Sequence, residues 1–199
     1  EIWLTSQDTT CYGFDIKTNL AELVKEIIKI PGKFKVRVGM GNPVHLKKIK
    51  DELIPLFNHP KVFKFIHLPA QSGSNQVLEK MNRGHTNEEF LELAKEVKSQ
   101  VPNITFATDL IAGFPGESEE DFWQTLELVR KINFDVINIS RFWSRPRTPA
   151  AKMKQLEMDL IQHRSKVLTD IFQNTSKMRN ERWLGWEGVV LIDEKGKLD

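Results

Sequence analysis

Short runs of β-branched and apolar residues alternate along this chain with amphipathic helical patterns, and the runs recur roughly every 30 residues. This pattern limits the possible folds more strongly than any other property of the sequence. Repeated strand–helix–strand units pack as a parallel sheet whose strands are connected by crossover helices. The sequence therefore predicts an α/β fold with an open, curved, parallel sheet whose strands are adjacent in sequence order. The predicted strands cover 2–5, 35–40, 62–68, 104–112 and 136–142.

Capping residues indicate where several of the predicted helices begin. Asn19 is a suitable N-cap for the first helix, and Thr86 forms a capping box with Glu89 ahead of another. Ser118 and Asp121 give a third such signal. Apolar residues at helical spacing follow each signal, which predicts amphipathic helices that cover the sheet.

One predicted strand carries a carboxylate among apolar residues. Asp109 interrupts the run 104–112, and a buried carboxylate needs a partner. Gly113 and Gly116 follow in a turn that lets the backbone approach a ligand closely. An ordinary strand-to-helix loop explains this segment equally well when it is taken alone.

Small polar residues and glycines follow every predicted strand. The carboxyl ends of parallel strands lie at one edge of a sheet, where α/β enzymes bind their ligands. A single polar loop is more often only solvated, but five at one edge favour a binding site. These strand ends are 6–8, 41–43, 69–74, 113–117 and 144–148.

Composition excludes several classes of protein. The 199 residues are 40% hydrophobic, but no run approaches the roughly 20 apolar residues of a membrane span, and no signal peptide is recognisable. Cys11 is the only cysteine, so neither an internal disulfide nor a metal site is predicted within this chain. We expect a cytoplasmic protein without membrane contact, and a chain that is cut at both ends.

Positive charge is concentrated in the last third of the chain. The net charge is +2, yet residues 141–182 hold ten Lys or Arg against four acids, a local charge of +6. A cationic helix face is often only solvated, but this one adjoins the polar sheet edge, which favours RNA as a partner. The predicted RNA-binding residues, here called the basic strip, are Arg145, Arg147, Lys152, Arg164 and Arg179.

Four motifs occur in an order and spacing that resemble the radical SAM methylthiotransferases. They are His67-Leu-Pro-Ala-Gln-Ser-Gly-Ser74, Met81-Asn-Arg-Gly-His-Thr86, Thr108-Asp-Leu-Ile-Ala-Gly-Phe-Pro-Gly-Glu117 and Arg145-Pro-Arg-Thr-Pro-Ala-Ala-Lys-Met153. The segment Leu4-Thr-Ser-Gln-Asp-Thr-Thr-Cys-Tyr-Gly13 is most similar to the archaeal and eukaryotic branch. That resemblance implies a substrate, threonylcarbamoyladenosine beside the tRNA anticodon, which is converted to its 2-methylthio derivative.

The resemblance also implies a domain organisation. Members of the family have a partial, TIM-like barrel of six βα units, between an N-terminal domain and a C-terminal TRAM domain. Residues 1–182 correspond to barrel strands two to six, and residues 183–199 to the start of TRAM. The first strand, with its Cys-x3-Cys-x2-Cys cluster loop, is missing, as are the ligands of a second 4Fe-4S cluster. The chain alone is therefore expected to bind no cluster and to perform no radical chemistry.

The cofactor implied by the family is S-adenosylmethionine (SAM), with an electron donor to reduce the cluster. Gln7 and Asp8 match positions that handle the methionyl end, while Gln71, Ser72 and Asp109 would face the ribose or the substrate. An ion pair between Arg37 and Asp109 is an equally good interpretation of that arginine. No catalytic residue is assigned. The predicted cofactor-binding residues are Ser6, Gln7, Asp8, Arg37, Gln71, Ser72, Asp109, Gly113 and Pro115.

Two hypotheses from different classes remain. The chain is either the SAM- and tRNA-facing part of a methylthiotransferase or a non-catalytic RNA-binding α/β module. A Cys-x3-Cys-x2-Cys loop encoded upstream of Glu1 would decide for the enzyme. An unrelated phosphate-binding barrel fits the glycine turns but not the Gln-Ser-Gly-Ser stretch.

Overall fold

The structure, a computed structural model, describes residues 1–188, which contain five β-strands and six α-helices. The elements alternate as the sequence predicts. In chain order they are β1 (Ile2–Leu4), α1 (Leu20–Lys29), β2 (Val36–Val38), α2 (Pro43–Leu53), β3 (Phe65–His67), α3 (Asn75–Lys80), α4 (Asn87–Gln100), β4 (Thr105–Ala112), α5 (Glu119–Ile132), β5 (Val136–Arg141) and α6 (Met158–Asn180). Residues 189–199, which form most of the expected TRAM segment, lie outside the described residues.

All strand pairs among the described residues are parallel. β1 pairs with β2, and β3, β4 and β5 pair in that order. Two isolated parallel bridges, Val36 with Val62 and Met40 with His67, connect the two groups. The predicted α/β class, strand direction and strand order are therefore confirmed. Within residues 1–188 β5 does not pair back to β1, so the sheet is open.

The pleat of each strand separates a core face from an inner face. Val36 and Val38 are buried against the helices, whereas Arg37 between them points to the other side of the sheet. In β4, Phe106 and Leu110 face the core while Asp109 faces the inner side. The inner face of the sheet thus carries polar groups, and its carboxyl edge opens to solvent.

The predicted helix starts are confirmed by their capping bonds. Asn19 accepts from the Glu22 amide, and both capping boxes, Thr86 with Glu89 and Ser118 with Asp121, are fully formed. No helix within residues 1–188 is long and apolar enough to cross a membrane.

Candidate active site

Two adjoining cavities lie at the carboxyl edge of the sheet. The β5 cavity, of about 700 Å³, borders β5 and the loop that follows it. The β1 cavity, of about 500 Å³, lies between the loops after β1 and β2 and the segment before α4. They form one cleft, because they share the lining residues Gln71, Arg83, Asp109 and Arg145.

Gln71 occupies the wall between the two cavities in an unusual conformation. Its backbone is left-handed, with φ of 69°, although its amide and carbonyl continue the sheet ladder to Asp109 and Ile111. The residue is 7% exposed, yet its side-chain amide has no hydrogen-bond partner among the described residues. The strained backbone therefore places a side-chain amide without a protein partner on the lining of both cavities.

Asp109 is the anionic centre of the cleft. Its Oδ1 accepts hydrogen bonds from His67 Nε2 and Asn138 Nδ2, both at 2.8 Å. Burial raises the pKa of Asp109, but these bonds and the charges of His67 and Arg83 outweigh it and hold the pKa below its usual value. The carboxylate is therefore ionised, and it fixes the orientation of two neighbouring side chains.

Asp8 closes the β1 end of the cleft as a capping residue. Its Oδ1 accepts from the Thr10 amide at 2.9 Å and the Asn42 amide at 3.1 Å, and its Oδ2 lies 2.5 Å from His45 Nδ1. Burial raises the pKa of Asp8, and bonds from Thr10 and His45 outweigh that effect and lower it. The group organises two loops beside the cavity.

Cys11 adds a third potential metal ligand to this corner. One ligand atom each of Asp8, Cys11 and His45 lies within 4.8 Å of the others. The Cys11 thiol donates to the Asp8 carbonyl at 3.2 Å, and both Asp8 oxygens already accept hydrogen bonds. The hydrogen bonds that cap these loops therefore explain why the three side chains lie together.

Arg37 does not contact Asp109. Its guanidinium lies over the Trp3 ring at 4.6 Å and the Phe65 ring at 4.2 Å, on the inner face of the sheet. Asp109 pairs with His67 instead. The predicted ion pair between Arg37 and Asp109 is thus wrong, and Arg37 lines neither cavity.

Ser72 is packed against α5 rather than facing the cleft. It is 1% exposed, and its hydroxyl bonds Thr125 Oγ1 and the Ser74 amide. A Cβ at Gly73 would collide with the Gln124 carbonyl, so glycine is required for this close approach. The expectation that Ser72 faces the ribose or the substrate is corrected, because its hydroxyl is hydrogen-bonded within the loop and to α5.

Gly113 and Pro115 are likewise buried, and Gly113 packs against α6. Gly113 has φ of 80°, and a Cβ there would meet Ile161 at 2.5 Å. Its amide donates to Glu117 Oε2 at 3.0 Å. The turn therefore docks a helix and does not offer open backbone to a cofactor. Ser6 is exposed and accepts from the Asp8 amide, outside the lining of both cavities.

Of the predicted cofactor residues, Gln7, Asp8, Gln71 and Asp109 converge on the cleft. The structure adds residues that sequence reasoning missed. His67 and Arg83 stand in the quoted motifs, so their motif positions were the available signal. No motif pointed to Asn138. The only signal in the sequence was the alternation of side chains along β5, which places Asn138 on the inner face, opposite Asp109.

The basic strip is divided by the structure. Arg164 is 2% exposed and pairs with Glu117 and Glu119, each at 2.8 Å. Arg179 is buried and pairs with Asp135 at 3.1 Å. Both arginines hold α6 against the segments that flank β4 and β5, so the expectation that they belong to an exposed strip is corrected.

The other three residues of the basic strip are exposed. Arg145 lies in the cleft wall, whereas Arg147 and Lys152 line neither cavity. The exposed part of the strip is therefore shorter than expected and begins at the cleft.

Comparison with known protein families identifies the superfamily of this chain. The model of the radical SAM superfamily matches residues 1–129. The chain belongs to the radical SAM superfamily. Members of this superfamily use SAM together with a 4Fe-4S cluster.

Relatives of this radical SAM chain have a more specific name. It is 48% identical over 197 residues to a probable threonylcarbamoyladenosine tRNA methylthiotransferase of Pyrococcus abyssi, covering 99% of this chain and 46% of that protein. It is 40% identical over 196 residues to the threonylcarbamoyladenosine tRNA methylthiotransferase of Homo sapiens, covering 98% of this chain and 34% of that protein. The chain thus spans less than half the length of these curated relatives.

The same fold occurs in a distant solved structure. Coproporphyrinogen III oxidase of Escherichia coli, a radical SAM enzyme, aligns with a TM-score of 0.62 at 16% identity, over 78% of this chain and 36% of that chain. At this identity the likeness concerns the fold alone.

Proposed function

We propose that this chain forms the cofactor- and substrate-binding part of a tRNA methylthiotransferase. The whole protein would convert N6-threonylcarbamoyladenosine beside the anticodon to its 2-methylthio derivative. Gln71 carries the proposal, since it lies on a strained backbone, it lines both cavities, and its side-chain amide has no hydrogen-bond partner among the described residues. The names of the relatives support the choice of reaction.

The β1 cavity fits SAM by the chemistry of its donors and acceptors. SAM carries an ammonium, a carboxylate and a sulfonium, so its site needs both signs of charge. This cavity offers Asp8 and Asp109 for the cationic groups, and the Gln7 and Gln71 amides as hydrogen-bond donors for the carboxylate. These residues would bind and orient the cofactor, which supplies a 5′-deoxyadenosyl radical when it is cleaved reductively.

The described residues do not fit the cluster. A 4Fe-4S cluster is held by several cysteine thiolates, and the chain has one cysteine, whose thiol donates to a backbone carbonyl. No step is therefore assigned to a cluster on these residues. Two clusters and an electron donor belong to the proposal for the whole protein.

The proposed tRNA contact lies beside the β5 cavity. Trp143 is 77% exposed at its rim, where an indole ring can stack on an unpaired base. Arg147 and Lys152 follow in the next loop and are free to contact phosphates. An anticodon loop presents unpaired bases next to its phosphates. This arrangement matches an exposed indole ring that is followed by two cationic side chains.

Analysis of the modified nucleosides tests the proposal. The full-length protein with reconstituted clusters is incubated with SAM, a reductant, a sulfur source and tRNA that bears threonylcarbamoyladenosine. Mass spectrometry of the digested tRNA should show the 2-methylthio nucleoside. Cluster-loaded protein that cleaves SAM but leaves the nucleoside unchanged would reject this substrate, and tRNA binding without any cluster would favour the non-catalytic module.

A further inference from the structure

The β5 cavity and the β1 cavity differ in their balance of charge. The β1 cavity has two arginines, Arg83 and Arg145, and two acids, Asp8 and Asp109. The β5 cavity adds Arg141 and retains only Asp109, whose carboxylate is already hydrogen-bonded to neighbouring side chains. The β1 cavity therefore suits a ligand with charges of both signs, and the β5 cavity suits an anionic one.

Two of these arginines are available to a ligand. The guanidinium groups of Arg83 and Arg145 have no hydrogen bond or ion pair among the described residues, whereas Arg141 donates from Nε to Ser165 at 3.0 Å. Partial burial lowers the pKa of Arg83, and the nearby Asp109 charge opposes this. An arginine remains protonated under these conditions, so both groups keep their positive charge.

We infer, on the basis of the proposed function, that Arg83 and Arg145 bind the free carboxylate of the threonyl group of the target nucleoside in the β5 cavity. The threonylcarbamoyl substituent ends in a carboxylate that unmodified adenosine lacks. Guanidinium groups match a carboxylate in geometry and charge. The pair thereby makes the enzyme selective for adenosine that has already been threonylcarbamoylated, so the threonylcarbamoyl transfer must come first.

Binding of two forms of one tRNA tests this inference. The full-length protein with its clusters is titrated, by filter binding at one salt concentration, with tRNA bearing threonylcarbamoyladenosine and with the same tRNA bearing unmodified adenosine. The wild-type protein should bind the modified form about 10-fold or more tightly, the size expected of a charge-assisted hydrogen bond. In Arg83→Met and Arg145→Met this ratio should fall towards one. Arg147→Met is the matched control and should weaken both tRNAs equally.

Several results would overturn the inference. A wild-type ratio of one, or a wild-type ratio kept by both variants, would show that the arginines do not read the carboxylate. Weaker SAM binding with an unchanged tRNA ratio would assign them to the cofactor instead. Failure to bind either tRNA would overturn the proposed function as well, whereas equal binding of both forms overturns this inference alone.

Discussion

Asp109 shows how one residue organises the cleft. Its carboxylate holds His67 and Asn138 from two neighbouring strands at 2.8 Å each, and Gln71 extends the adjoining ladder through its backbone. Charge-assisted hydrogen bonds of this kind restrict side chains to one rotamer. The inner face of the sheet is thereby preorganised at the wall between the two cavities.

Replacement of Asp109 by Asn keeps the size of the side chain and removes its charge. The hydrogen bonds from His67 and Asn138 then lose the charge on their common acceptor and weaken, and a small displacement of bound groups lowers a rate by about 10²-fold. We expect a loss of this size or greater in product formation by the full-length, cluster-loaded enzyme, measured by mass spectrometry of tRNA nucleosides. Asp51→Asn, at a side chain that is 86% exposed, is the control. Equal rates in the two variants would show that the Asp109 charge is structural only.

At the scale of elements, a buried ion pair holds α6 against the segment that follows β4. Arg164 donates to the carboxylate and the carbonyl of Glu117, which follows β4, and Gly113 donates to the same carboxylate. Burial raises the pKa of Glu117, and the ion pair with Arg164 opposes that shift. Removing one partner of such a pair leaves an uncompensated buried charge.

Arg164→Met should therefore lower the free energy of unfolding by about 3–5 kcal/mol. Denaturant unfolding of the chain measures this, and hydrogen exchange should show faster exchange in α6. Arg130→Met breaks an exposed pair with Glu127, three residues away in α5, and should cost at most about 0.5 kcal/mol. A similar small loss in both variants would contradict the role given to Arg164.

The junction between α3 and α5 should make stability depend on pH. Burial raises the pKa of Asp121, but bonds from Ser74 and Ser118 outweigh this and lower the pKa below 3.8. A lowered folded-state pKa gives stability that is present above pH 3.8 and is lost as pH falls through the folded value. Asp121→Asn should therefore reduce the drop in unfolding free energy between about pH 5 and 3. Asp170→Asn, exposed on α6, should retain the wild-type drop.

At the scale of the whole molecule, strand order and direction could be predicted because they follow from local periodicity and short crossovers. The cleft could be predicted in part, since the rule on strand ends selects Gln7, Asp8 and Gln71, and the carboxylate that interrupts a predicted strand selects Asp109. The sequence could not distinguish Ser72 from the residues that line the cleft. A small polar residue beside a glycine gives the same sequence pattern whether it faces a ligand or packs against a helix.

The two buried arginines of α6 illustrate a different limit. Arg164 lies three residues after Ile161 and four before Leu168, both buried, so helical spacing placed it on the apolar face. Its acidic partner, however, lies 47 residues away in sequence, and only the tertiary fold reveals that the charge is compensated. Local charge density therefore overestimated the exposed basic surface.

The shortened basic surface leads to a prediction about salt. Arg147→Ala combined with Lys152→Ala should weaken binding of all tRNAs alike and flatten the plot of log affinity against log salt by about 0.7 to 0.9 for each phosphate that is no longer neutralised. Filter binding across a salt series measures both quantities. The control pair Lys33→Ala and Lys95→Ala, exposed away from the cleft, should leave the slope unchanged. Identical slopes in both double variants would mean that phosphates are bound elsewhere.

The claim that the cleft at the carboxyl edge of the sheet is the active site is tested most directly at Gln71. The Gln71→Leu variant of the full-length, cluster-loaded protein keeps the size of the side chain and removes the unpartnered amide. Mass spectrometry of tRNA nucleosides should detect no 2-methylthio product from this variant, while cluster content, circular dichroism and the activity of a Gln173→Leu control match the wild type. Undiminished formation of the product by Gln71→Leu would contradict the placement of the active site in this cleft.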